Sequence, residues 1–112
     1  MKITALKVPL YRQTLEAVVT DDFNKAIEEL KINNYTNFNL DDHEAFVANQ
    51  NDKIYLFIRK DACAGIIAHE AVHICNYIFQ SANIKLDIDN DEPYAYLMMW
   101  VVEEVNETLK VS

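Results

Sequence analysis

The chain has 112 residues, the usual size of one domain, and we expect residues 1–112 to form a single domain. Hydrophobic residues make up 51% and charged residues 25% of it, which is typical of globular rather than disordered proteins. The formal net charge of −8 argues against a nucleic-acid partner, because proteins that bind nucleic acids carry basic groups that neutralise phosphates. The single glycine also excludes a glycine-rich phosphate loop.

The two cysteines indicate a reducing compartment. Cys63 and Cys75 fall within one predicted helix, where their spacing along the axis is about 18 Å at 1.5 Å per residue. A disulfide requires Cα atoms within about 7 Å, so we expect two reduced thiols, packed as small hydrophobes, in a cytoplasmic protein. No apolar run approaches the roughly 18 residues of a membrane span, and the first residues lack the apolar core of a signal peptide.

The N-terminal half alternates between strand and helix patterns. Runs rich in β-branched and aromatic residues predict strands, and Thr20-Asp21-Asp22 is typical of a helix start that leads to an end at Asn33-Asn34. Two short apolar runs joined by a polar turn predict a hairpin. The predicted segments are strands at Ile3–Tyr11 and Leu15–Thr20, a helix from about 21 to 33, a loop over 35–43, and hairpin strands at Ala45–Ala48 and Ile54–Ile58.

The C-terminal half follows a helical period. Apolar residues at helical spacing predict a helix over residues 62–80, with Asp61 as its cap, and a second helix from Glu92 to Leu109, capped by Asp91. The connection over 81–91 is rich in Asp and Asn. Its acidic residues fail the template of a calcium-binding loop, so a polar turn is the favoured interpretation. The element order predicts an α+β domain.

The first of these helices carries the sequence His69-Glu70-Ala71-Val72-His73. Two histidines at positions i and i+4 lie one turn apart and about 40° apart around the axis, so both imidazoles can reach one metal ion. Glu70 lies about 100° from His69 and about 60° from His73, which is the place of a general base beside a metal. A hydrolytic zinc site needs a third ligand, and Glu92 in the next helix is the candidate.

These residues resemble a known family. His69-Glu70-x-x-His73 followed by 18 residues and then Glu92 is similar to the pattern of the gluzincin zinc metallopeptidases. The last 50 or so residues also resemble short HExxH proteins of phages and prophages. The resemblance implies a minimal zincin-like core: a small, mostly antiparallel sheet, an N-terminal helix, the HExxH helix and the glutamate helix. It also implies that His69, His73 and Glu92 hold Zn²⁺, that Glu70 is the base, and that the substrate is a peptide or protein.

Several roles around this motif stay open. Tyr96, one turn after Glu92, is the first candidate for the donor that stabilises an oxyanion, and Tyr77 is the alternative. The acceptor for the second nitrogen of each histidine is Asp91, Glu103 or a backbone carbonyl. His43 has no partner pattern and is interpreted as a solvated loop residue.

Two further expectations concern access to the site. Gly65 lies one turn before His69, where it either keeps the cleft clear or only marks a weak first turn. The hairpin strand Ile54–Ile58 could pair with an extended substrate. The oligomeric state stays open. The alternative to a peptidase is a non-catalytic, zinc-stabilised binding or inhibitory protein of phage or mobile-element origin.

Overall fold

The computed structural model describes residues 1–33 and 43–112. It is a compact α+β structure with a four-stranded mixed sheet and three helices, so the predicted fold class is confirmed at this level. The loop expected over 35–43 falls, apart from His43, outside the described residues. The elements are β1 Lys2–Lys7, β2 Thr14–Val19, α1 Phe23–Leu30, β3 Ala45–Gln50, β4 Lys53–Ile58, α2 Ala64–Ser81, a short 3-10 turn Ile88–Asn90, and α3 Glu92–Lys110.

The sheet has the strand order β1-β2-β4-β3. Two neighbouring pairs are antiparallel, as expected, but β2 and β4 run parallel, with Leu15 opposite Ile54 and Val19 opposite Ile58. The expectation that Ile54–Ile58 offers a free edge is therefore wrong, because β4 is bonded on both sides. The reason is a long-range pairing between β2 and β4 that local sequence patterns do not reveal.

The two faces of the sheet carry different helices. The helices α2 and α3 pack on one face, where Leu15 and Leu56 meet Ile74 and Val101. The helix α1 covers the other face with Phe23 and its neighbours. A hydrophobic residue in β4 faces one core or the other according to its position, and Ile54 through Ile58 are all buried. Because both faces of β4 are buried, its sequence is a continuous apolar run and does not alternate with polar residues.

The turn between β3 and β4 is built from Asn51 and Asp52, with φ angles of 55° and 62°. A two-residue turn with both φ angles positive is the type I′ turn that suits the twist of a hairpin, and Asn and Asp tolerate this conformation well. The predicted polar hairpin turn is thus confirmed. It extends both strands beyond the predicted apolar runs, to Gln50 on one side and Lys53 on the other.

One end each of α1, α2 and β1 differs from the predictions. The cap of α2 is Cys63 rather than Asp61, and its side chain makes no capping hydrogen bond. The helix α1 already ends at Leu30, where Lys31 takes a left-handed conformation with φ of 57°. The strand β1 ends at Lys7, short of the expected Tyr11. Asp91 occupies the predicted cap position of α3, but its side chain makes no capping hydrogen bond, and Pro93 lies in the first turn.

None of the helices in residues 1–33 and 43–112 combines the length and the apolar character that a membrane crossing requires.

Candidate functional site

His69 and His73 lie on the solvent-facing side of α2. Their ring centroids are 5.1 Å apart and the rings meet at 73°, and both side chains are exposed. The opposite side of the helix is anchored in the core by Ile67, Ala71 and Ile74. Because burial of that apolar face fixes the rotation of α2, the two imidazoles are held side by side in solvent, as the spacing predicts.

Glu70 is buried although it carries a carboxyl group. Only 6% of its surface is exposed, and within the described residues it has neither a hydrogen bond nor an ion pair. Burial raises the pKa of Glu70 above its ordinary value, and the charges of His69, His73 and His43 oppose that rise. Among the described residues, Gln13 Oε1 is the fully buried side-chain oxygen without a hydrogen-bond partner, so the carboxyl oxygens of Glu70 are still reached by solvent and can meet a ligand there.

Glu92 is the first residue of α3 and is exposed. The helix turn that it begins is tied to α2 by Tyr94, whose hydroxyl donates to Asn76 Oδ1 at 2.8 Å and lies 3.3 Å from the carbonyl oxygen of Val72. Val72 directly precedes His73. The first turn of α3 therefore lies beside the turn of α2 that carries the second histidine.

The structure does not gather a complete ligand set. In the part of the chain that it describes, no three His, Cys, Asp or Glu side chains come close enough together to hold one metal ion. His69 and His73 are brought together as a pair, and Glu92 does not form a group of three with them. Within the same ranges, neither imidazole is hydrogen-bonded to Asp91 or Glu103, so the acceptor for their second nitrogens stays open.

The two tyrosine candidates differ in their surroundings. Tyr96 is 65% exposed, on a side of α3 that faces away from the core, while Tyr77 is half-buried against the main core. An exposed hydroxyl is free to contact a bound substrate, whereas a side chain packed in the core is held in place. Tyr96 therefore remains the first candidate for the oxyanion donor.

His43 lies two residues before β3. Its backbone carbonyl accepts from Arg59 Nε at 3.3 Å, and its ring lies 6.3 Å from that of Phe46. It is exposed, as expected of a solvated loop residue.

Three other expectations can be compared with the structure. Both cysteines are free thiols. Cys75 is buried as expected, but Cys63 is exposed and is not packed as a small hydrophobe.

Asp87 forms a polar turn, as expected, since its side chain accepts a hydrogen bond from the backbone N–H of Asp89 at 3.0 Å. A Cβ placed on Gly65 would meet only Cys63 Sγ, at 3.9 Å, so Gly65 makes no room for a neighbouring described strand.

Comparisons with protein-family models, with curated proteins and with solved structures found no match to this chain.

Proposed function

We propose that this protein is a zinc-dependent metallopeptidase, in which His69, His73 and Glu92 hold Zn²⁺ and Glu70 is the general base. The observation that carries this proposal is the buried carboxyl of Glu70, which lies next to two exposed imidazoles and lacks a partner among the described residues. The water coordinated by a bound cation would give this carboxyl group a hydrogen-bond partner.

The residues present fit a zinc ion. Two neutral imidazoles one turn apart are common zinc ligands, and their exposure leaves room for further ligands. The hydrogen bond of Tyr94 to Asn76 holds the first turn of α3 beside α2, and the proposal requires Glu92 to approach the histidine pair when the ion binds. A carboxylate would add a third ligand to the two neutral imidazoles and offset part of the positive charge of the ion.

When bound, zinc would lower the pKa of a coordinated water to about 7 and polarise the carbonyl of a peptide bond. Glu70 would accept a proton from the attacking water as the new C–O bond forms. When the C–N bond breaks, Glu70 would return that proton to the leaving amine. Tyr96, or Tyr77 in its place, would donate a hydrogen bond to the oxygen that gains negative charge.

The proposal includes a fold assignment. A sheet followed by a histidine helix and a glutamate helix is the element order of a minimal zincin-like core, and the described chain has this order.

A non-catalytic zinc-stabilised binding or inhibitory protein is the second candidate. It is favoured by apolar side chains that the C-terminal part leaves in solvent, above all Ile88, which is 85% exposed, and Met99, which is 54% exposed. Exposed apolar groups can contribute to binding of another protein. Such a protein would use His69 and His73 for the metal but would have no need of the acid at Glu70.

The test has two steps. Metal analysis of purified protein should find one zinc per chain in the wild type and much less in His69→Ala. Digests of a peptide mixture, read by mass spectrometry, should then show cleavage by the wild type, loss of cleavage with zinc retained in Glu70→Gln, and normal cleavage in Glu28→Gln on the distant helix α1. A wild type without zinc contradicts both candidates, and a zinc-loaded but inactive wild type supports the binding protein.

A further inference from the structure

The turn between β1 and β2 holds an apolar side chain in solvent. Leu10 is 93% exposed, and its backbone is left-handed, with a φ of 69°. The Tyr11 N–H donates to the Pro9 carbonyl at 2.8 Å and closes a tight turn around Leu10. A positive φ is unfavourable for a side chain as large as Leu, so this turn is strained. Strain that keeps an apolar residue in solvent indicates a contact surface.

The same turn borders a cavity with basic walls. The cavity has a volume of about 330 Å³, and its described lining contains two cations and no acid: Lys7, Val8, Leu10, Arg12, Gln13 and Thr14. Gln13 is only 9% exposed, and among the described residues its side-chain oxygen has no hydrogen-bond partner. Because the last torsion of a glutamine is broad, rotation of the amide can bring this oxygen to a donor in the cavity. The cavity therefore suits an occupant that combines negative charge, an apolar group and an N–H.

The connection between α2 and α3 has this chemistry. Its residues 82–91 are all exposed, and acidic and apolar side chains alternate in Leu86-Asp87-Ile88-Asp89. Ile88 is 85% exposed and Leu86 is 50% exposed. Because these side chains lie in solvent, the connection does not fill the cavity of its own chain.

The turn and the connection lie at the same end of the molecule. The ring of Tyr11 lies 6.1 Å from that of Phe79, and the Phe79 carbonyl accepts from the Ile84 N–H at 2.9 Å. A two-fold axis at this end would set the turn of each copy against the connection of the other, so that two equal contacts form together. A partner of one sign of charge would match only one of the two surfaces.

We propose that this end of the molecule is a homodimer interface, in which the cavity beside Leu10 receives the partner's Ile88 and the partner's Asp89. Arg12 then pairs with that aspartate, while Leu10 and Ile88 are removed from water together. Asp89 supplies the charge rather than Asp87, because the Asp87 carboxylate already accepts from the Asp89 N–H. The interface does not depend on the proposed zinc site.

Sedimentation velocity over a range of protein concentrations tests this interface. The wild type should approach twice the monomer mass of 13.0 kDa, with a dissociation constant below about 100 μM. Arg12→Glu and Asp89→Arg should each weaken dimerisation at least about tenfold. The double variant should recover to within about threefold of the wild type, because the ion pair forms again with its signs exchanged.

Three further variants separate the contact from general effects. Lys60→Glu and Asp61→Arg make the same charge changes beyond the opposite end of β4 and should leave dimerisation unchanged. Leu10→Asn should weaken dimerisation at least about tenfold without lowering the melting temperature of the monomer, since Asn tolerates a positive φ.

A wild type that stays monomeric up to about 0.5 mM overturns the proposal. So does a dimer that neither Arg12→Glu nor Asp89→Arg weakens, because it would use another surface. Weakening in both single variants without recovery in the double variant contradicts the proposed contact, and equal weakening in Lys60→Glu and Asp61→Arg contradicts it as well.

Discussion

The Tyr94 hydroxyl donates a hydrogen bond of 2.8 Å to Asn76 Oδ1 and thereby joins the first turn of α3 to the middle of α2. The Tyr94 ring also meets Phe79 edge-on at 5.2 Å. The ten-residue connection between the helices, residues 82–91, is exposed throughout, so it contributes little to their alignment. The contacts of Tyr94 therefore hold the helix turn with Glu92 next to the histidine pair.

Removal of this hydroxyl should loosen the junction. We expect Tyr94→Phe to lower the free energy of unfolding by about 1 kcal/mol, because one hydrogen bond is lost and the Asn76 amide oxygen loses its donor. Urea unfolding followed by circular dichroism measures this change. Tyr96→Phe is the matched control, since Tyr96 is 65% exposed, and its stability should stay within about 0.5 kcal/mol of the wild type. Equal stability of all three proteins would show that the Tyr94 hydroxyl does not hold the helices together.

The role of Glu92 as third ligand can be tested against a neighbouring acid. We expect Glu92→Gln to weaken zinc binding by about 10- to 100-fold, because a neutral amide replaces the only anionic ligand proposed for the ion. Asp89→Asn removes the same charge from the exposed turn that precedes α3 and should change the affinity less than about threefold. Competition with a coloured chelator at constant ionic strength gives both values. Equal affinities of the two variants would exclude Glu92 from the ligand set.

The buried carboxylate of Glu70 should lower the stability of the metal-free protein at neutral pH. Its pKa is raised by burial, so above pH 4.5 the unfolded chain releases this proton more readily than the folded protein. Stability from this group is complete at lower pH and is lost as the pH rises through the folded-state pKa. We therefore expect Glu70→Gln to melt a few degrees higher than the wild type at pH 7.5 with a chelator present, and the difference to shrink at pH 4.

Thermal melts of the wild type, Glu70→Gln and Glu28→Gln at both pH values provide the measurement. Glu28 is exposed on α1, so its variant should follow the wild type at each pH. A Glu70→Gln protein that is less stable than the wild type at pH 7.5 would show that the fold already satisfies this carboxylate.

The two cysteines should differ in reactivity. Burial raises the pKa of the Cys75 thiol to about 12, whereas Cys63 is exposed at the start of α2. The thiolate is the reactive form, so at pH 8 we expect iodoacetamide to modify Cys63 within minutes and Cys75 only after unfolding in urea. Peptide mapping by mass spectrometry locates the label. Rapid labelling of Cys75 in the folded protein would contradict the burial of α2 in the core.

Local patterns predicted the helices and the hairpin because their causes are local. The period of apolar residues defines α2, and Asn51-Asp52 defines a turn whose geometry those residues tolerate. The parallel pairing of Leu15 with Ile54 joins segments far apart in the chain, so it could not be read from either one. By contrast, His69 and His73 are neighbours through helix geometry alone, so their pairing could be predicted from their spacing.

Gly65, the only glycine, tests whether the space before His69 matters. A Cβ there meets only Cys63 Sγ at 3.9 Å, an ordinary contact, so Gly65→Ala should stabilise the protein by about 0.5 kcal/mol through reduced backbone freedom. If the glycine only marks a weak first turn, zinc binding and peptide cleavage should not change. Because the added methyl lies one turn from His69 in α2, a loss of cleavage with normal zinc affinity would instead show that substrate passes over this position. Urea unfolding together with the peptide digest separates these outcomes, since stability and substrate access are then measured on the same variant.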